Sequence, residues 1–214
     1  MKILVIAAHP DDEVIGMGGT IKKLALKGNE LNLCVVSEGA SAQYNDKKMI
    51  KIRRDACEKS GKFLGISKFY FLDYPDMRLD SIPHLEINRN LEKIIKNFKP
   101  KIVYSVSPND SNKDHQKVFE SSLIASRPQS SSVKQFLTYE VLGSVKNSFH
   151  PTVYENIEKE FPSKIKALNF YNTEIEKFPH SRSIESIENL AIYRGVQSGL
   201  RKAEAFELIR LILD

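Results

Sequence analysis

From Lys2 to Ala8 the chain is a continuous aliphatic and β-branched run, the composition of a strand buried on both faces of a parallel sheet. After a charged turn the apolar positions switch to helical spacing at Val14, Met17, Ile21, Leu24 and Ala25, and Gly28 stands where a left-handed C-terminal cap belongs. The alternation repeats. Leu31 to Ser37 reads as a strand. Lys47 to Gly65 reads as a helix with Met49, Ile50, Ile52, Ala56, Cys57, Phe63 and Leu64 facing inward. A short strand at Phe69 to Leu72, a helix from Pro83 to Phe98 and a strand at Ile102 to Val106 follow. The stretch from Ser126 to Ser132 is linker-like but suits a loop, Phe136 to Val141 reads as another strand, and the pattern turns helical at Pro162 to Ile175 and Ser183 to Arg194. Phe206 to Leu213 fits strand and helix equally well.

Repeated βα units joined by short turns predict an α/β architecture, a Rossmann-like three-layer fold whose mostly parallel sheet carries helices on both faces. The 214 residues suit one domain, residues 1–214. Apolar residues at 41%, charged residues at 28% and only ten Gly and nine Pro exclude collagenous and largely disordered classes. No apolar run approaches the ~18 residues of a membrane helix. The six-residue run behind Met1-Lys2 is too short for a secretory leader. Cys34 and Cys57 lack metal or redox spacing and read as reduced core thiols, so a cytoplasmic location is expected. The excess of 32 basic over 27 acidic residues, +5, mildly favours an anionic small molecule and selects no partner by itself; neither nucleic acid nor membrane insertion is expected. Gly16-Met-Gly-Gly19 is not a dinucleotide loop, because Ile21 replaces the last glycine and the motif begins inside a helix.

The candidate chemistry sits directly after the first strand, where His9-Pro10-Asp11-Asp12-Glu13 packs an imidazole and three carboxylates into five residues. Open α/β sheets place their sites at that end of their strands. Asp12 and Glu13 alone are equally well explained as first-turn acids that favour a helix dipole. His9 changes the balance toward a metal, and catalytic zinc takes three protein ligands of the His and carboxylate type. The remainder is found after the strand at Ile102 to Val106, in the segment from Ser107 to His115. His115 alone reads as a loop histidine; paired with His9 across adjacent strand ends it reads as a ligand.

Ala8-His9-Pro10-Asp11-Asp12-Glu13, with Asn112-Lys113-Asp114-His115 about a hundred residues later, resembles the PIG-L (LmbE-like) zinc-dependent N-deacetylases, which remove acetyl groups from N-acetylated amino sugars. Arg53-Arg54 with Leu64-Gly65, Tyr74-Pro75-Asp76, Tyr193-Arg194-Gly195 and Ala203-Glu204-Ala205-Phe206 extend the likeness over nearly the whole chain. The resemblance implies His9, Asp12 and His115 as metal ligands and Asp11 as catalytic base, with Asp114, beside His115, as a carboxylate that supports a metal-binding imidazole. It implies zinc as cofactor, although two histidines and a carboxylate also accept iron or another divalent ion. It implies a small N-acetyl amino sugar as substrate, as a sugar nucleotide, phosphosugar or glycoside, bound in part by Arg54, and leaves homo-oligomerisation open. One departure stands out: the family commonly has His where this chain has Asn112, and that histidine serves the oxyanion and the leaving amine. Asn112 offers a neutral donor only, and His180 is the candidate to take over the acid role and to touch substrate. The competing reading is a catalytically weak carbohydrate or nucleotide-sugar binding protein that keeps the fold; a two-carboxylate glycosidase is weaker because it leaves His9 and His115 without a role.

Overall fold

The N-terminal run forms the central strand β1 (Lys2–Ala7), with Ile3 through Ala8 wholly buried. This computed structural model describes residues 1–44, 46–143 and 146–213. After β1 come α1 (Asp12–Leu26), β2 (Glu30–Ser37), α2 (Lys48–Leu64), β3 (Ile66–Tyr74), α3 (His84–Phe98), β4 (Ile102–Val106), α4 (Lys113–Ala125), β5 (Gln135–Tyr139), β6 (Val153–Asn156), α5 (Phe161–Leu168), α6 (Ile184–Ser198) and β7 (Ala203–Leu211). They build one seven-stranded sheet in the order β3-β2-β1-β4-β5-β7-β6. The first five strands are parallel; β7 runs antiparallel to β5, and β6 antiparallel to β7.

The chain steps outward from β1 to β3 and then returns to β4 on the other side of β1, so right-handed crossovers put the first two helices and the next two on opposite faces. Accordingly α1 packs with α2 and α5, and α3 with α4. The reversal falls between β1 and β4, the switch point at which such sheets open a crevice beyond their carboxyl ends. The expected α/β architecture is therefore present, and both predicted motifs lie at that crevice.

Several boundaries differ from the local pattern. The helical periodicity expected to run to Ile175 stops at Leu168, because Tyr171 turns inward to donate to Glu13 and Glu174 turns inward to meet two arginines. The ambiguous C-terminus is strand β7, in which Ala203 to Phe206 pairs with β6 and Phe206 to Leu211 with β5. Both are long-range pairings that no local period announces. Cys34 and Cys57 are buried free thiols. Among the described residues no helix is long and apolar enough to cross a membrane.

Helix α1 is broken at Met17 (φ −146°). Glu204 of β7 accepts from the N–H groups of Gly19 (3.0 Å) and Thr20 (2.6 Å), while Lys164 of α5 binds Glu204 (2.6 Å) and the Ile15 carbonyl (2.7 Å). A buried ion pair thus caps both halves of the break and lets the first turn of α1 follow β1 rather than the helix axis. The glycines rejected as a phosphate loop serve packing. A Cβ at Gly16 would lie 2.3 Å from the Tyr139 ring and 2.8 Å from the Glu140 carbonyl. Gly16→Ala is expected to destabilise the fold by about 1–3 kcal/mol, read as a lower midpoint in urea with an unchanged slope.

Candidate active site

Between β1 and α1 the chain turns sharply. Asp11 takes φ 125° and ψ −27°, a conformation that costs a non-glycine residue on the order of 1–3 kcal/mol and persists only when its surroundings hold it. Glu13 Oε2 accepts the Asp11 N–H (3.2 Å), and the Tyr171 hydroxyl donates to Glu13 Oε1 (2.6 Å), anchoring the turn from below. Burial pushes the Glu13 carboxyl up to about 7. On the neighbouring strand end, Asn112 is the N-cap of α4 and its Oδ1 accepts the Asp114 N–H (2.8 Å). Because β1 and β4 pair directly, the two turns meet, with the His9 and His115 rings 5.3 Å apart.

His9, Asp12 and His115 are all buried and offer ligand atoms within 4.8 Å of one another. His9 Nδ1 lies 3.5 Å from Asp12 Oδ2, and His115 Nε2 lies 3.5 Å from Asp12 Oδ1. Ligand atoms on a tetrahedral ion with bonds of about 2.0–2.1 Å stand about 3.4 Å apart. Asp12 Oδ1 is buried without a hydrogen-bond partner, which a cation would remedy. A second triad, His9, Asp76 and Asp114, uses the other nitrogen of His9. Asp114 is already committed there, since it accepts the N–H groups of Met77 (2.9 Å) and Leu79 (3.0 Å). We therefore read Asp76 and Asp114 as acceptors for His9 Nε2–H, at 3.3 and 3.2 Å, which leaves Nδ1 free for a metal.

Asp114 thus stands against an imidazole, that of His9 and not that of its chain neighbour His115. Adjacent residues on a helix diverge by ~100°, so Asp114 and His115 cannot share a direction. Asp110 holds His115 instead, with Nδ1 3.0 Å from Asp110 Oδ2. Asp110 was not singled out in the sequence; its only signal was a carboxylate a few residues before His115. Asp76 was noted only as part of a loop resemblance.

The four carboxylates make the cluster strongly attractive to positive charge. Burial alone would lower the His9 imidazole, yet hydrogen bonds to Asp114, Asp12 and Asp76 hold it well above its usual value. For His115 burial is likewise overcome, by Asp12 and Asp110, and its pKa stands at about 9. Burial would raise Asp12, but both histidines hold it well below the carboxylate range. Metal ligation needs neutral imidazoles, so a divalent ion must displace these protons. Affinity for zinc should therefore fall as pH drops below about 9, where His115 takes up its proton. Each proton displaced steepens the dependence by about tenfold per pH unit; competition titrations with a chelating dye at several pH values measure that slope.

Asp11 stands beside the triad rather than within it. Its Oδ2 is 3.3 Å from both Arg53 Nη2 and Arg182 Nη2, and its buried Oδ1 has no hydrogen-bond partner. Burial raises its carboxyl above the usual range against the pull of Arg182 and Arg53. Arg53 also donates to the Pro10 carbonyl (2.9 Å), and Glu174 sits 3.4 Å from Arg53 and 3.7 Å from Arg182. Of the neighbours Arg53 and Arg54, it is thus Arg53 that reaches the centre. Arg54 pairs with Asp73, lies over the Phe71 ring and lines a separate cavity with Lys47 and Lys51. His180, Arg182 and Asn112 border a cavity of about 420 Å³ that includes Asp12 and His115. His180 is exposed, with Nδ1 accepting the Arg182 N–H (3.1 Å).

Residues 4–125 match the family model described as "PIG-L: GlcNAc-PI de-N-acetylase". The "Uncharacterized deacetylase YaiS" of Escherichia coli K12 is 34% identical over 175 residues, 78% of this chain and 88% of that protein. The N,N'-diacetylchitobiose deacetylase of Pyrococcus horikoshii, solved with an inhibitor, superposes with a TM-score of 0.81 at 26% identity, covering 98% of this chain and 84% of that one. The 4-carboxy-2-hydroxymuconate hydratase GalB of Pseudomonas putida KT2440 also superposes at 0.81, with 21% identity over 100% of this chain and 98% of that one, and shows the fold alone. With a family model matched over more than half its length and the family's two motifs brought together at one buried centre, the chain belongs to the PIG-L family of deacetylases.

Proposed function

We propose that this chain hydrolyses the acetamide of an N-acetylated amino sugar, with Asp11 as the base. The observation that carries the proposal is the division of labour between neighbours: Asp12 faces both imidazoles, while Asp11 presents a buried, unpartnered Oδ1 beside them. A divalent ion held by His9, Asp12 and His115, zinc or another, would acidify a water and polarise the amide carbonyl. Asp11 accepts the proton of the attacking water and returns it to the departing amine. Arg53 and Arg182 hold the Asp11 carboxylate in place, and Asp110, Asp76 and Asp114 fix the ring orientations of the two histidines. Because Asn112 Oδ1 is engaged by the Asp114 N–H, its Nδ2 remains as a neutral donor toward the carbonyl oxygen. His180, on the rim of the cavity, is assigned to substrate and to the leaving amine, and Arg54 to an anionic substituent of a longer substrate.

The test is acetate release from a panel of N-acetyl amino sugars by zinc-restored and chelated protein. Release that needs the metal supports the proposal. Ligand-dependent thermal stabilisation with no release from any sugar would replace it with the carbohydrate-binding reading.

A further inference from the structure

Lys113, His115, His180 and Arg182 are the side chains bordering the metal cavity that can carry a positive charge. His115 is taken by Asp12 and Asp110, while Lys113 and His180 are exposed. Arg182 is drawn inward instead, with Nη2 3.3 Å from Asp11 Oδ2 and Nη1 3.7 Å from Glu174 Oε2. Its backbone is fixed at the head of α6. The Arg182 N–H donates to His180 Nδ1 (3.1 Å), its carbonyl accepts the Glu176 N–H (3.4 Å), and Ser183 caps the helix directly behind it. Arg53 stands on the same carboxylate oxygen but differs in kind. It is buried, and its Nη2 donates both to Asp11 Oδ2 (3.3 Å) and to the Pro10 carbonyl (2.9 Å), which ties it to the turn. The Arg182 side chain is 27% exposed, and its two ion pairs engage at most two of its five N–H groups. Asp11 therefore has one anchored cation and one that faces the cavity with donors to spare.

Hydrolysis of an amide moves negative charge away from Asp11. As the water oxygen bonds to the carbonyl carbon, a water proton passes to Asp11 and the carbonyl π pair moves onto the substrate oxygen. The carboxylate becomes neutral in the step that makes that oxygen an anion. Asn112, whose Oδ1 is committed to the Asp114 N–H, can answer the new charge only with a dipole. We propose that Arg182 is a catalytic residue that follows the charge: its guanidinium pairs with Asp11 while the carboxylate is ionised and with the substrate oxyanion once Asp11 holds the proton. When the intermediate collapses, the C=O bond re-forms and the C–N pair goes to nitrogen. The proton on Asp11 then passes to the amine, leaving acetic acid, which ionises to acetate, and a carboxylate that Arg182 meets again. The inference rests on the deacetylase reading for the reaction; the mobile cation is argued from the contrast between Arg182 and Arg53.

The experiment compares N-acetylglucosamine with its methylphosphonamidate analogue, whose tetrahedral P–O⁻ stands where the attacked carbonyl oxygen would be. Both are titrated against zinc-restored Asp11→Asn protein, and the analogue also against protein with Asp11 intact. In each background Arg182→Ala should weaken the analogue by about 10²-fold, the scale of one oxyanion donor, and N-acetylglucosamine by less than about threefold, because the charge exists only in the tetrahedral form. Lys113→Ala, at the same cavity, should weaken the analogue by less than about threefold. With Asp11 intact, Arg182→Ala should lower kcat by about 10²- to 10³-fold, and Asn112→His added to it should recover at least about tenfold. Equal losses for the two ligands, an equal loss in Lys113→Ala, or no loss at all overturns the proposal. So does a loss that vanishes in the Asp11→Asn background, since Arg182 would then act only by supporting the carboxylate. Acetate release by unmodified protein is measured separately. No release from any sugar, with an analogue affinity that depends on Arg182, would remove the hydrolase reading and keep Arg182 as the partner of an oxyanion.

Discussion

Asp11→Asn is expected to lower kcat by about 10²- to 10⁴-fold, the usual contribution of a positioned general base, while the protein still takes up metal. Asparagine is the informative substitution because it keeps the shape, retains an oxygen for Arg53 and Arg182, and tolerates positive φ better than most residues. What it removes is the ability to take a proton. Alanine would confound this loss with a structural one, leaving Arg53 buried beside one carboxylate fewer. Steady-state kinetics with metal analysis of the same sample decide the matter. A variant with normal metal content and near-normal kcat would show that another group accepts the proton.

His115→Ala should remove stoichiometric metal and activity together, since it deletes one of only three protein ligands in the proposed site. Asp110→Asn makes the sharper companion experiment. It leaves all three ligands in place but weakens the acceptor 3.0 Å from His115 Nδ1, and such supporting carboxylates are worth about 10- to 100-fold in metal affinity. The expected series is therefore graded: full metal in unmodified protein, weakened uptake in Asp110→Asn and none in His115→Ala. Loss of metal on mutating Asp76, with His115→Ala unaffected, would move the ion to the other face of His9, where Asp76 and Asp114 lie.

Much of the centre was legible along the chain because it follows strand ends. A buried strand has a strong compositional signature, and in a parallel sheet its carboxyl end is where side chains can converge without breaking the core. His9 and His115 could thus be paired from a distance of about a hundred residues. The supporting groups were less legible. Asp110, Arg53, Glu174 and Arg182 act through directions set by φ, ψ and helical phase, and nothing in a run of polar residues distinguishes the one that points inward. The choice of Arg54 over its neighbour shows this: the two guanidiniums are identical in the sequence and leave α2 about 100° apart, so only packing decides that Arg53 is buried against Asp11.

By itself the sequence determined the α/β architecture, the order of the first βα units and the pairing of His9 with His115 past two strand ends, since these depend on periodicity and on local turn chemistry; Asp12 as their companion came from the resemblance to a family. Tertiary structure alone decided that β7 returns antiparallel between β5 and β6, that Glu204 and Lys164 cap the break in α1, and that a loop after α5 delivers Glu174 and Arg182 to the surroundings of Asp11. Each of those arrangements joins residues far apart in the chain, and their energy comes from burying charges and hydrogen-bonding groups against partners that no local pattern specifies.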